Sequence, residues 1–440
     1  MMDSALFLLL LVASSLLGVF LGTITGLVPG FHPNNVAFIL LSFTPVIIAK
    51  SSLLLDLVPS DLALVLVASA ILAASVAHTF LNFIPAAFIG APEEDTALCL
   101  LPAHRLLLEG RAYEATVLSA LGSFGAVIFS FLFIIPFYLI FSVFHFYELL
   151  RSLMLYLLIA ISTVLILTES FSERMEAYWA ILLSTFVFIL SGFFGSVILN
   201  MPVYSLFPFR STMLFPALTG LFGLSTILFS ALYTPEIPEQ RIEEPQVAKG
   251  GIIKSVISGS VFGTLVSVLP GITSAHATVM AMLARRTREP EQVIMTLSGV
   301  NTANAIFCLA ALFLISHARS GATIAISHLF EVQPWERLLP PSVLIYLLIA
   351  ALISSPCSFF ITKYVGKRFA LHFMKIPYRR MLGGIAIFLI VLVLLFTGAL
   401  GLLILLVGTF IGLIPIYMSV RRSNCMGVLL VPIIVMLWRI

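Results

Sequence analysis

Apolar stretches long enough to cross a lipid bilayer follow one another along almost the whole chain. They lie near 4–28, 34–50, 62–80, 113–143, 147–168, 177–199, 212–233, 252–284, 293–316, 341–362 and 381–419, and a shorter run near 424–438 closes the sequence. A hydrocarbon core about 30 Å thick takes roughly 20 residues of helix per crossing. Two of the runs, 252–284 and 381–419, are too long for one straight span and contain internal breaks, at Pro270-Gly271 and at Gly398. The expectation is an all-α polytopic membrane protein with about 11–13 transmembrane helices. The opening run follows Met1-Met2-Asp3-Ser4 with neither a basic leader nor a small-residue cleavage site, so it reads as a retained first span.

Composition closes off the other classes. Charged residues are 10% of 440 and apolar ones 60%, where a soluble domain carries about 25% and 45–50%. So few charges cannot cover a water-exposed surface, which excludes a soluble enzyme, a disordered chain and a nucleic-acid binder relying on basic patches. The four cysteines, Cys99, Cys308, Cys357 and Cys425, are scattered in or beside apolar runs and read as small buried hydrophobes. The longest polar stretch, Tyr233–Lys254, carries Pro235, Pro238, Pro245 and Glu239-Gln240-Arg241-Ile242-Glu243-Glu244. It reads as a solvated connector, dividing the chain into a half at 1–233, a linker at 234–252 and a half at 253–440. Basic clusters at 285–288, 363–380 and 421–422 place three chain segments in the cytoplasm by the positive-inside rule, with 317–340 outside and a hairpin within 381–419.

The chain resembles itself. Residues 22–37 read GTITGLVPGFHPNNVA and residues 263–278 read GTLVSVLPGITSAHAT, aligning Gly22 with Gly263, Thr23 with Thr264, Pro29 with Pro270 and Gly30 with Gly271. A second intramembrane polar stretch follows each, Ala77–Asn82 in one half and Val300–Asn304 in the other. Proline removes a backbone donor and glycine tolerates the left-handed turn that ends a helix, so each Pro-Gly predicts a broken or re-entrant helix. The freed backbone groups are tolerated in a membrane only where protein or a water-filled cavity covers them. Two such breaks in corresponding places are the signature of a secondary-transporter site near the midplane. The candidate substrate-binding residues are therefore Gly30, Asn34, Asn35, Gly271, Thr273, Ser274, Asn301 and Asn304, with Pro29 and Pro270 as the helix-breaking pair. His78, Thr79, Asn82, Asp95 and Thr96 form an opposite wall or a coupling-ion site.

Competing readings attach to several of these. The asparagines also suit plain interhelical hydrogen bonding. Glu93 and Glu94 suit the first turn of a helix better than an ion site. Arg105, Arg111 and Arg319 are possible partners of an anion, with an interfacial place the simpler reading. His32 and His276 do not fall at matching offsets, and no tight ligand spacing points to a metal or other cofactor. Two other functions fit such a chain: an intramembrane enzyme using His78, Asp95 and His104 as acid–base groups on a lipid-linked substrate, or a non-transporting membrane subunit.

At the level of motifs, the chain resembles the large permease subunit of the tripartite tricarboxylate transporters, the TctA-type family. The resemblance rests on 22–33 (GTITGLVPGFHP), on 84–115 with Gly110-Arg111-Ala112, on 214–224 (LFPALTGLFGL), on 263–271 and on 301–304. It implies a multi-pass permease of the cell membrane, surrounded by lipid, moving a small organic anion, most plausibly a carboxylate, on an ion gradient. It further implies a small membrane subunit and an extracytoplasmic binding protein as partners. No GxxxxGK[ST] phosphate loop occurs.

Overall fold

The computed structural model describes residues 4–28, 33–34, 36–37, 39–41, 43–44, 59–89, 96, 100–144, 146–171, 175–199, 201–202, 213–232, 238–269, 274–287, 289–372 and 378–438. Among them all regular structure is helical. In chain order the helices are α1 (Ser4–Leu27), α2 (Ser60–Leu81), α3 (Phe83–Ile89), α4 (Leu100–Leu108), α5 (Ala112–Tyr138), α6 (Phe146–Leu167), α7 (Ala177–Ile198), α8 (Leu214–Leu218) and α9 (Ser225–Leu232). The second half adds α10 (Lys249–Val268), α11 (Ser274–Arg285), α12 (Pro290–Ile315), α13 (Gly321–Leu329), α14 (Ser342–His372), α15 (Tyr378–Tyr417) and α16 (Gly427–Trp438). Nine helices among the described residues are long and apolar enough to span a bilayer, and two shorter apolar ones cover 214–229 and 422–438.

Local chemistry sets the ends. Pro290 opens α12, where its missing donor does no harm, and Ser316 closes that helix at φ +49°. Ser320 and Thr323 cap α13 reciprocally. Residues Thr219–Leu224 join α8 to α9 through a π-helical stretch. Arg422 donates to the Leu221 and Phe222 carbonyls there, both at 2.9 Å. Residue Gly398, at φ +67°, lies within α15. Leu382 clusters with Ile227 and Tyr417 meets Phe229, whereas Phe396 meets Phe215. The arms 378–397 and 399–417 therefore run side by side in opposite directions, forming the hairpin that the length of the run and Gly398 predict.

Six helices build the centre, and their directions follow from paired contacts. A side chain at Gly18 would strike the Ala70 carbonyl and one at Gly22 the Ala74 carbonyl; both numbers rise together, so α1 and α2 run parallel. In the second half the same test sets Gly259 on Thr296 and Gly263 on Val300, making α10 and α12 parallel. Close approach through small residues is how helices associate where lipid removes the hydrophobic drive. The third helix of each group comes from the other half of the chain. On α14, Tyr346 meets Phe7 near the start of α1, Ser354 donates to the Ala73 carbonyl of α2 at 2.9 Å, and Phe369 packs on Phe88 of α3, which follows α2 after one residue, so α14 runs with α1 and α2. On α5, Ser119 shares a 2.8 Å hydrogen bond with Ser298, and Phe133 meets Phe307, so α5 runs with α12. Helices α5 and α14 touch at Thr116–Gly366 and Phe124–Phe359, one number rising as the other falls, so they are antiparallel.

The group α1, α2, α14 thus points one way through the bilayer and the group α10, α12, α5 the other. The two repeats are inverted, and each borrows its third helix from the opposite half.

The linker is largely exposed over 238–248, as expected of a solvated connector, and it is also anchored to the bundle. Gln240 Oε1 accepts from the Ala112 amide at the start of α5, and its Nε2 donates to the Leu107 carbonyl at the end of α4. Arg241 N donates to the Gly110 carbonyl at 2.8 Å, and Glu244 pairs with Lys363 on α14. Gln240 and Arg241 thus meet helix-end groups that need partners, which ties an otherwise exposed strap to the ends of α4 and α5.

Candidate functional site

Within 62–88, 255–269 and 292–315 the sequence has no Asp, Glu, Lys or Arg, so whatever binds there meets dipoles. Near the end of α1, Thr25 Oγ1 donates to the Gly22 carbonyl at 3.1 Å and lies 3.1 Å from His78 Nδ1 on α2. With the hydroxyl proton committed to Gly22, the Thr25 oxygen accepts from His78 Nδ1. One residue on, Thr79 Oγ1 donates to the Val76 carbonyl at 2.8 Å and accepts from Thr302 Oγ1 at 2.9 Å. That hydroxyl pair joins α2 to α12, the two helices related by the inverted repeat, and marks its middle.

Asn82 sits in the one-residue turn between α2 and α3, beside Gly26 of α1. It is 3% exposed, and neither Oδ1 nor Nδ2 has a hydrogen-bond partner. Buried hydroxyls nearby are content with their own helix, as when Ser69 donates to the Val65 carbonyl. An amide has no such outlet, and an unpaired buried polar group costs about 1–3 kcal/mol. An orphan of this kind marks a strain reservoir or a ligand position.

The other candidates divide. Asn301 is buried on α12 beside Thr302, and Asn304 accepts from the Cys308 thiol at 3.3 Å. Ser274 begins α11, and its Oγ is buried without a partner. Its neighbour Ala275 belongs to the apolar cluster that also holds residues of α7, α8, α15 and the turn before α16. Asn34 lies against Gly321 at the start of α13, and no described contact joins it to the Thr79–Thr302 pair. Thr96 is buried. Pro29, Gly30, Asn35, Asp95, Pro270, Gly271 and Thr273 lie outside the described residues. On either side of the second Pro-Gly, α10 ends at Val268 with Leu269 extended, and α11 starts at Ser274. Of the proposed acid–base histidines, His78 is on α2 and His104 on α4. No group of three or more His, Cys, Asp or Glu placed to hold a metal occurs among the described residues.

Two participants escaped selection from sequence, Thr25 and Thr302. Both stand inside the repeated motifs, but helical threonines usually bond their own backbone, and only the fold reveals their cross-helix partners. A third feature lies at one end of the bundle. Arg111 binds Glu114 at 2.7 Å, Glu291 at 2.8 Å and Glu109 at 3.0 Å. Its hydrogen bond to Glu114 leads the effects that raise the guanidinium above its ordinary range, against burial, with Glu291 and Glu109 adding. Burial pushes the Glu109 carboxyl up, but the hydrogen bonds and charges of Arg105 and Arg111 outweigh it and hold the group below its usual range. Arg111 is thus a clasp between α5 and α12.

A family model described as "Tripartite tricarboxylate transporter TctA family" matches residues 12–427. A protein of Methanocaldococcus jannaschii described as uncharacterized is 32% identical over 428 residues, covering 95% of this chain and 97% of its own length. No solved structure matches.

Proposed function

Because the chain belongs to the tripartite tricarboxylate transporter TctA family, we propose that it is the secondary-active permease of such a system, carrying a small carboxylate on an ion gradient. Its substrate chamber surrounds the Thr79–Thr302 contact. Thr25, His78, Thr79 and Asn82 line it from one repeat, and Asn301 and Thr302 from the other. Asn34, Ser274 and the backbone following Gly30 and Gly271 extend it, with Asp95-Thr96 a coupling-ion position. A small membrane subunit and an extracytoplasmic binding protein complete the assembly.

The observation that carries this reading is Asn82. Among the described residues the Asn82 amide is buried with neither polar atom paired, beside the end of α1 and one turn from His78. Neutral donors suit a cargo that must leave again, because they hold an anion without an opposite charge to trap it. The inverted repeat supports the same reading, since transporter sites lie at the repeat interface near the midplane.

Uptake of labelled di- and tricarboxylates into proteoliposomes, with and without sodium and proton gradients, tests the function. Asn82→Ala and Asn301→Ala are expected to abolish uptake while leaving insertion and yield intact. Normal uptake in both variants refutes the site, and wild-type protein that moves none of the substrates, with its partner subunits supplied, refutes the permease reading.

A further inference from the structure

Inverted repeats make a test of equivalence available at every position, and the contacts fix the register. Gly22 rests on Ala74 and Ala77, Gly263 on Val300 and Ala303; Gly18 rests on Ala70, Gly259 on Thr296. One turn further, Gly26 lies against Leu81 and Asn82, while the Ser267 carbonyl lies 3.8 Å from the Cys308 thiol. The same pairing holds at three successive levels, so Asn82 corresponds to Cys308, His78 to Asn304 and Thr25 to Val266. The polar stretches at 77–82 and 300–304 are therefore displaced by about one helical turn relative to a match of Thr79 with Thr302.

The corresponding places are filled differently. At the end of α1 the amide of Asn82 is buried with both polar atoms unpaired. At the end of α10 the smaller Cys308 donates to Asn304 Oδ1 at 3.3 Å and touches the Ser267 carbonyl. The counterpart of the imidazole is thus occupied by an internal bond, and the counterpart of the Thr25 hydroxyl is a valine.

We infer that the site is one-sided: Asn82 at the end of α1 takes a ligand group, while the corresponding Cys308 at the end of α10 is bonded internally and takes none. The ligand group must both accept from Nδ2 and donate to Oδ1. A carboxylate with its bound water or hydroxyl meets that requirement, and so does a hydrated monovalent cation. The inference rests on the permease reading only for which of these is cargo.

Thermal unfolding of the purified full-length protein in detergent tests it, with choline citrate, choline succinate, sodium chloride and choline chloride as probes. At least one probe raises the midpoint of the wild type over choline chloride; a shift with the choline carboxylates identifies the anion, and one with sodium chloride the cation. Cys308→Ala keeps that shift and binds within a few-fold of wild type. Asn82→Cys, which copies the second repeat, and Asn82→Leu bind at least about tenfold more weakly, the equivalent of one lost hydrogen bond in a buried site. An unliganded midpoint at or above wild type in either Asn82 variant separates lost binding from unfolding. Loss of the shift in Cys308→Ala, its survival in a folded Asn82 variant, or no shift of the wild type by any probe overturns the inference. Asn82-dependent binding in a protein that transports none of the carboxylates overturns the permease reading and leaves the one-sided site standing.

Discussion

Asn82→Leu sets stability and function against each other, and the sign of the stability change is the decisive quantity. The side chain is 3% exposed with Oδ1 and Nδ2 both unpaired, and each unsatisfied group in such a place costs about 1–3 kcal/mol. Leucine has nearly the same shape and no polar atom, and repacking around a near-isosteric replacement returns less than about 1.5 kcal/mol. The unliganded protein should therefore gain about 1–3 kcal/mol. A domain of 150–250 residues shifts by roughly 2–4 °C per kcal/mol, so a rise of a few degrees is expected here. Ser119→Ala is the matched control. Ser119 is equally buried but bonded to Ser298 at 2.8 Å, so its removal strands a partner and should cost about 1–2 kcal/mol. Both variants are read by intrinsic fluorescence on heating in one detergent without substrate, with uptake measured on the same preparations. A lower midpoint for Asn82→Leu, falling alongside Ser119→Ala, would mean that the amide is a structural group, and the functional reading of this residue would fail.

Other expectations follow from the same contacts. A disulfide between Thr116→Cys and Gly366→Cys, where the added Cβ would lie 3.2 Å from Thr116 Cβ, joins the two oppositely directed groups and should stop uptake; one between Ser119→Cys and Ser298→Cys lies within a group and should leave it. Equal effects of the two links in an uptake assay would show that the groups do not move against each other. Arg111→Ala strands the 7% exposed Glu114 and should cost about 2–4 kcal/mol, less than a fully buried pair because the guanidinium is partly exposed; adding Glu114→Gln should recover much of the lost midpoint. Burial holds His104 below its ordinary 6.5, so the unfolded chain binds more protons there. Stability from this group is complete above 6.5 and is lost as pH falls toward the folded value, and His104→Gln should flatten that acid limb in midpoint-versus-pH curves. Gln240→Ala removes the cap on α5 and should cost about 1 kcal/mol, seen as faster protease nicking within 238–248.

Much of the architecture was written plainly in the sequence. Span positions follow from apolar length, the hairpin around Gly398 from a run too long for one crossing, and family membership from the order of motifs such as 22–33 and 301–304. Direction was not legible. Two similar segments look alike whether they enter the bilayer from the same side or from opposite sides, and only contacts such as Thr116–Gly366 decide it. The sequence set the two polar stretches after their breaks without fixing their register, and the glycine contacts at 18, 22, 259 and 263 supply it. Asn82 was visible as an asparagine in lipid, but its isolation is a property of its neighbours. The strap's acidity near Glu243 and Glu244 agrees with their exposure, whereas Gln240, the residue that anchors it, has no distinctive pattern.

The exchange of third helices bears on how the protein is made. When α1 and α2 leave the ribosome, the surface that Ser354 and Phe369 will cover is empty, and it stays so for more than 250 residues of synthesis. A nascent chain stalled after the strap would hold α1 and α2 without α14, and α5 without α12. Severing the polypeptide there should accordingly yield two fragments that are each unfit alone and insert productively only when expressed together.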